Sequence, residues 1–391
     1  MTRRVVAGLF FIALLLGAAA VWRLLHPAAP GPLQLAHVHF SDLPDWNSGD
    51  PRQALLAFQR SCTVMMAAPP ETVVGAYAGN VADWRGVCDA AAKADVNAAR
   101  DFFEQWFAPL AVRAGNASDG LFTGYYEPLL HASIARHGRH QTPVYALPSD
   151  LVTVDLGRFR DTLKGEHVTG RVEDHSLVPY PTRAAIDTDG LRSAKVLFYA
   201  DDPVAVFFLH IQGSGRVTFD DGTSARVAYA GQNGRPYTAI GRTLIAQHQL
   251  TRDKTSLQTI RAWLVAHPDR ARAVMESDAS YVFFKQTPVG DAALGAVGAE
   301  GAALTPDASI AVDTKIHPLG APFFIETSLP RSGAKLNRLF VAQDTGGAIT
   351  GAVRADIFFG FGARAEELAG EMKQTGRMFV LLPKPVAARI R

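Results

Sequence analysis

Two cysteines, Cys62 and Cys88, are all that 391 residues contain, and neither lies beside a histidine in the pattern of a nucleophile or a zinc site. Thiol chemistry is therefore set aside. In an oxidising compartment the pair would form a disulfide, the alternative being two separate buried thiols. Charge of one sign is also scarce. The formal net charge is +2 with the basic residues scattered, which excludes a nucleic-acid partner. No phosphate-binding loop or dinucleotide fingerprint occurs, and no cofactor is implied. His131, His137 and His140 share a polar loop with Arg136 and Arg139. Their spacing does not fit the His-Glu-x-x-His zinc motif, so the expectation there is a solvated loop and no metal. No internal repeat or long low-complexity segment stands out.

What is present describes a folded, exported chain. Hydrophobic content of 48% against 19% charged residues supplies ample core, and the length suggests two or three domains. After Arg3-Arg4 no charge occurs from Val5 to Trp22. Residues 1–25 thus read as a signal peptide, cleaved near Ala18-Ala19-Ala20, or as a signal anchor tethering the protein to the inner membrane through residues 5–22. Either way the body is expected in the periplasm, since the arginines favour a cytoplasmic N-terminus. Residues 26–34 form a proline-rich tether.

Helical spacing follows. Asp50-Pro51 is the expected start of a helix over Arg52–Ser61, and Val96, Ala99, Phe103 and Trp106 share one face of a helix expected over Asp89–Phe107. From Leu121 the pattern turns to strands, expected at 121–126, 143–147, 195–199, 204–211, 215–219 and 225–230. A helical interlude over Ser256–Met275 is broken at His267-Pro268. Strands resume at 309–313, 322–327, 338–343, 355–359 and 377–382. Short strands punctuated by glycine and proline suggest a barrel, so the fold class is mostly β with flanking helices.

The chemistry concentrates in Asp344-Thr345-Gly346-Gly347-Ala348-Ile349-Thr350-Gly351-Ala352-Val353-Arg354-Ala355-Asp356, set between the apolar runs Leu339–Ala342 and Ile357–Phe359. Asp313 ends an earlier run, Ser309–Val312. Strand ends hold a carboxylate rigidly, and Gly346 and Gly347 let a bulky substrate approach the backbone.

The spacing of these three aspartates, with Lys315-Ile316-His317-Pro318-Leu319-Gly320 after the first, resembles the 3D domain of the MltA family of membrane-bound lytic murein transglycosylases. Phe122-Thr123-Gly124-Tyr125-Tyr126-Glu127-Pro128, Phe208-Leu209-His210-Ile211-Gln212-Gly213-Ser214-Gly215, Tyr229-Ala230-Gly231-Gln232-Asn233-Gly234, Tyr281–Lys285, Phe361-Gly362 and Gly376–Leu381 extend the likeness over most of the chain. The resemblance implies a double-psi β-barrel with a second β-rich domain inserted. Its parts would be a helical region and first barrel portion over 35–138, the insert over 139–294, and a 3D segment over 295–391 completing the barrel. It also implies a substrate groove between the two domains and exolytic cleavage of peptidoglycan glycan strands at the MurNAc-GlcNAc bond, leaving 1,6-anhydroMurNAc ends. Which cell-wall synthases or amidases accompany the enzyme stays open. Some members are lipid-anchored through an N-terminal cysteine; no cysteine precedes Cys62, so this chain is not expected to be a lipoprotein.

Hydrolases ordinarily use two carboxylates, about 5–5.5 Å apart when retaining and roughly 6.5–9.5 Å when inverting. A lytic transglycosylase needs a single acid with a raised pKa. Asp356, flanked by Ala355 and Ile357-Phe358-Phe359, fits that demand and aligns with the family's acid/base. Asp344 would orient it, raise its pKa or steady positive charge on the sugar; the alternative is an Asx turn. Asp313 reads as structural. The match to family blocks places Tyr125, Tyr126, Gln212, Ser214 and Tyr229 as groove residues, against core packing as the alternative. Three rivals stand beside this reading. One is a glycoside hydrolase using Asp344 and Asp356, and one is a peptidoglycan-binding protein without activity. The third is an aspartic peptidase built on Asp344-Thr345-Gly346, which would need a second such triplet that the chain lacks.

Overall fold

The computed structural model describes residues 31–390; the expected signal segment and most of the tether lie outside them. Among the described residues no helix is long and apolar enough to cross a membrane. The chain opens with strand β1 (Leu33–His37) and then three helices, Arg52–Met65, Val81–Ala91 and Ala99–Trp106. The first begins at Arg52 as expected and runs four residues further; Pro51 rather than Asp50 is its cap, and Asp50 accepts from the Arg52 amide. The helix expected over Asp89–Phe107 is two pieces. It stops at Ala91, Asp95 caps a fresh turn by accepting from the Asn97 amide, and Phe107 already begins β2 (Phe107–Ala114). Phe58, Trp84, Phe102, Phe103 and Phe107 pack together under these helices.

A disulfide joins Cys62 of the first helix to Cys88 of the second. It closes a loop with a sequence separation of 26, for which chain entropy gives about 3.5 kcal/mol of stabilisation. Replacing both cysteines with alanine should lower the unfolding free energy in urea by about 2–4 kcal/mol. An unchanged midpoint would mean that aromatic packing alone sets the stability of this region.

The barrel uses strands far apart in sequence: β3 (Gly120–Glu127), β13 (Ser309–Val312), β14 (Pro322–Ser328), β15 (Lys335–Asp344), β16 (Arg354–Phe361) and β17 (Lys373–Pro383). They pair in the order β17-β14-β15-β13-β16-β3, and β3 pairs back onto β17, closing six strands into a ring. Two pairings, β13–β15 and β16–β3, are parallel. Parallel neighbours need crossovers, and that is why the strands cannot be consecutive hairpins. β2 pairs with β17, and β1 with β2, extending the sheet beyond the ring. Inward positions such as Phe122, Ile310, Phe323, Val341, Ile357 and Val380 are fully buried. Gly124 is required where it sits: a Cβ would lie 2.5 Å from the Phe359 ring and 3.0 Å from Ala369 of the helix Ala363–Glu371.

After Glu127 the chain leaves the barrel. β4 (Leu129–Ser133), β5 (Thr142–Tyr145), β9 (Val196–Ala200), β10 (Ser214–Phe219), β11 (Ser224–Gln232) and β12 (Val282–Thr287) form a second sheet in the order β12-β11-β10-β4-β9-β5. Since β4 already belongs to this sheet, the barrel is left before residue 138, the boundary expected from sequence. Between β5 and β9 the strands β6 (Val152–Asp155), β7 (His167–Glu173) and β8 (Ser176–Pro179) make a small separate sheet. Residues 204–211, expected as a strand, lie in a helix, Pro203–Gln212. A short run that is apolar but for His210 fits a buried strand or a buried helix equally. Its ends decide: Asp202 accepts from the Val204 amide, Pro203 occupies the first turn, and Gly213 closes it at φ +78°. The interlude breaks at Pro268 as expected, giving helices Leu257–Ala266 and Pro268–Glu276.

Candidate active site

Asp356 and Asp344 stand on either side of the short strand β13. Asp356 is registered to Ala311 from β16, and Asp344 to the same Ala311 from β15. Two strand spacings place their backbones roughly 9.5 Å apart. A bulge brings Asp344 there. The β13–β15 register shifts between Ile310 and Ala311, leaving Gln343 as the extra residue. Gln343 turns inward, fully buried, where its amide donates to the Ala57 carbonyl and Ser61 and accepts from Ser309. Asp344 is thereby left partly exposed at the end of β15.

Strand alternation sets the other face. Phe122 and Tyr126 of β3 point into the barrel core, so Thr123 and Tyr125 point out toward the two acids. The Thr123 hydroxyl donates to Asp356 Oδ1 at 2.6 Å, and Arg354 Nη2 donates to Thr123 Oγ1 at 2.8 Å. A guanidinium only donates, so it commits the single Thr123 proton to Asp356. No protein donor reaches Asp356 Oδ2 among the described residues. Asp344 is held on both oxygens: the Tyr125 hydroxyl donates to Oδ2 at 2.9 Å and the Ala299 amide to Oδ1 at 3.0 Å.

Around the acids lies a small apolar cluster of Tyr125, Leu304, Ala311, Ile349 and Phe358. Burial against it pushes the Asp356 carboxyl above the usual range. The Asp344 charge adds to the rise, while Thr123 and Arg354 oppose it. Asp344 is also raised by burial, opposed by the Ala299 and Thr345 amides and the Tyr125 hydroxyl. A charge on Asp344 therefore favours the protonated form of Asp356. Arg354, itself partly buried, has its pKa lowered by that burial.

Asp313 lies a turn away and serves the backbone. Its Oδ2 accepts from the Gly351 amide at 2.8 Å and its Oδ1 from the Lys315 amide. The neutral imidazole of His317, pushed down to about 4 by burial, donates through Nε2 to the Ala352 carbonyl and accepts at Nδ1 from Tyr77. Together they pin the segment leading into Asp356, where Gly351 has φ +114°. At Gly347 a Cβ would meet nothing within 4 Å, and at Gly346 it would touch only Ile349. The protein itself therefore makes little steric demand for glycine at either position.

The expected groove residues divide. Tyr125 is next to the acids, buried but for its hydroxyl contact. Tyr126 corrects the expectation: its ring is 2% exposed in the barrel core, because it falls on the inward face of β3. Gln212, at the end of its helix, binds the Tyr126 amide through Oε1 at 3.0 Å. Ser214 is buried in β10, and Tyr229 of β11 is half exposed. Thr123, Arg354 and Ala299 were not singled out from sequence. Thr123 stands two residues from Tyr125 in the same motif, so strand alternation was the available signal. The Asp-Thr-Gly triplet has no second such triplet facing it, and both oxygens of Asp344 are taken by Tyr125 and Ala299.

Residues 121–285 match the profile of the MltA specific insert domain, and residues 308–382 that of the 3D domain. Membrane-bound lytic murein transglycosylase A of Escherichia coli (strain K12) is 32% identical over 284 residues, covering 71% of this chain and 69% of that protein. The crystal structure of the membrane-bound lytic murein transglycosylase from Agrobacterium tumefaciens superposes with a TM-score of 0.81 at 33% identity, covering 92% of this chain and all of the other. E. coli MltA with bound chitohexaose is also similar, with a TM-score of 0.61 at 26% identity over 91% and 93% of the two chains. With identity, coverage and fold in agreement, this chain belongs to the MltA family of membrane-bound lytic murein transglycosylases.

Proposed function

We propose that the protein is a lytic transglycosylase that cleaves the MurNAc-GlcNAc β-1,4 bond of peptidoglycan, with Asp356 as its one acid and base. Protonated Asp356 gives its proton to the bridging oxygen as the bond to C1 breaks. The resulting carboxylate takes the proton of the muramyl C6 hydroxyl while that oxygen attacks C1. The aspartic acid is regenerated, no water is consumed, and the product ends in 1,6-anhydroMurNAc. One observation carries this reading. Asp356 keeps one oxygen without a partner among the described residues, whereas both oxygens of Asp344 already accept a hydrogen bond. Asp344 is thus suited to steady positive charge at the sugar and unsuited to activating a water.

The groove in this reading runs between the barrel and the six-stranded sheet, with Tyr125, Gln212, Ser214 and Tyr229 along it and Gly346-Gly347 allowing close approach. E. coli MltA was crystallised with chitohexaose, and a β-1,4 glycan is the ligand proposed here. Residues 5–22 would export the chain and either be cleaved or hold it at the inner membrane, placing it in the periplasm beside its substrate. The test is mass spectrometry of fragments released from purified sacculi. 1,6-Anhydro ends are expected; reducing ends would make the enzyme a hydrolase, and no release would leave a binding protein.

The electrostatics give a paired prediction. The acid must be protonated, so kcat/KM falls as pH rises through the Asp356 pKa. Asp344→Asn removes a charge that raises this pKa, so the alkaline limb moves to lower pH. Arg354→Gln removes a charge that lowers it, so the limb moves to higher pH. Shifts of the same sign in the two pH–rate profiles would contradict the assignment.

A further inference from the structure

The loop between β4 and β5 is exposed, as a solvated loop should be, except at one residue. His140 is 6% exposed, and its Nδ1 is buried with no hydrogen-bond partner. An unpaired buried nitrogen costs free energy, which calls for a partner that the described residues do not supply. Beside it, His137 Nε2 lies 3.0 Å from Asp220 Oδ2 and 2.9 Å from Ser133 Oγ. One ligand atom from each of His137, His140 and Asp220 lies within 4.8 Å of the others.

The backbone holds these groups from two directions. The His140 amide donates to the His137 carbonyl at 2.8 Å, with Gly138 at φ +46° making the tight turn. Gln141 braces that turn through Arg136 Nε and the Gly138 carbonyl. Asp220 sits in the β10–β11 hairpin, its amide bonded to the Ala132 carbonyl of β4. Nearby charge is largely engaged elsewhere: Arg139 lies 3.4 Å from Asp201, and Asp221 caps its own turn at Thr223. Two ligands on a tetrahedral zinc at bond lengths of about 2.0–2.1 Å are themselves roughly 3.3 Å apart. The His137–Asp220 separation, 3.0 Å, is already close to this, and the His140 ligand atom lies within 4.8 Å of both.

We propose that His137, His140 and Asp220 form a binding site for a divalent transition cation of the zinc class. The fourth position is left to Ser133 Oγ or water. Two imidazoles and one carboxylate suit zinc, nickel or copper, and do not suit calcium or magnesium, which take oxygen ligands. The site shares no residue with the acids, whose partners are Thr123, Tyr125 and Ala299. Its effect is to clip the β4–β5 loop to the β10–β11 hairpin across the parallel β4–β10 pair. Motif spacing cannot reveal it, because Asp220 lies 83 residues from His137.

The test is a cobalt(II) titration of the untagged full-length protein, followed by visible absorption and thermal unfolding. One equivalent should give a d–d band that zinc abolishes, together with a higher Tm. His137→Ala, at a residue whose side chain is 53% exposed, should weaken cobalt binding at least about tenfold while leaving lytic activity and the metal-free Tm unchanged. Asp220→Asn should behave alike. No saturable band would overturn the proposal, leaving a plain His137–Asp220 ion pair. So would a band that survives both substitutions.

Discussion

Asp356→Asn should lower the rate of anhydromuropeptide release from sacculi by about 10³-fold or more. General acid–base participation is worth about 10²–10⁴-fold, and here one group serves both proton transfers. Asparagine keeps the shape and can still accept from Thr123 through its carbonyl oxygen, so sugar binding should persist and KM should change little. The loss then falls equally on kcat and kcat/KM, as expected for an interaction made only in the transition state. Stability should move the other way. The folded pKa of Asp356 is raised, so the stabilisation it contributes is full below its unfolded pKa and is lost as pH rises through the folded value. Asparagine carries no such penalty, and at neutral pH the variant should unfold at the same temperature as the parent or higher. An inactive variant with a lower Tm would point to misfolding. One retaining a tenth of parental activity would shift the acid to Asp344.

The acids were legible in the sequence because their local signal is strong: apolar runs ending in aspartate, then glycines. The groups that tune them were not. Thr123 acts on Asp356 across 233 residues of sequence, through a parallel β3–β16 pairing that no local pattern encodes. The bulge that turns Gln343 inward and Asp344 outward is likewise a property of the β13–β15 register. Strand positions in the barrel followed from short apolar runs, but its closure by β3 on β17 is tertiary. Helix Pro203–Gln212 reads as a strand because its interior is apolar but for His210, and only its caps distinguish it. Tyr126 was placed in the groove by its motif, although alternation from Phe122 already put it inside.

Removing the charge of Glu127 should be among the most destabilising single changes in this protein. Glu127 ends β3 with a side chain 0% exposed. The Ala296 amide donates to Oε1 at 2.7 Å, Arg216 Nε donates to Oε2 at 3.1 Å, and Arg226 Nε lies 3.1 Å from Oε1. Those arginines belong to β10 and β11, so the carboxylate fastens the barrel to the second sheet. Their outer nitrogens continue to the carbonyls of Val289, Ala292 and Leu294, and the Arg216 guanidinium lies 3.4 Å above the Phe361 ring. Such a network does little for net stability against an apolar core of the same shape. Breaking it is another matter: an uncompensated buried charge costs about 3–5 kcal/mol. Glu127→Gln leaves two guanidinium groups facing an amide, so urea unfolding should show a loss in that range. Activity should fall as well at temperatures where the variant is still folded. Thr123 is four residues upstream on the same strand, and a displacement of about 1 Å between the walls of the groove is enough for roughly 10²-fold. If Glu127→Gln unfolds within about 1 kcal/mol of the parent, the seam is held by packing and the arginines are solvated after all. Full activity from a destabilised variant would instead separate the stability of the seam from the alignment of the site.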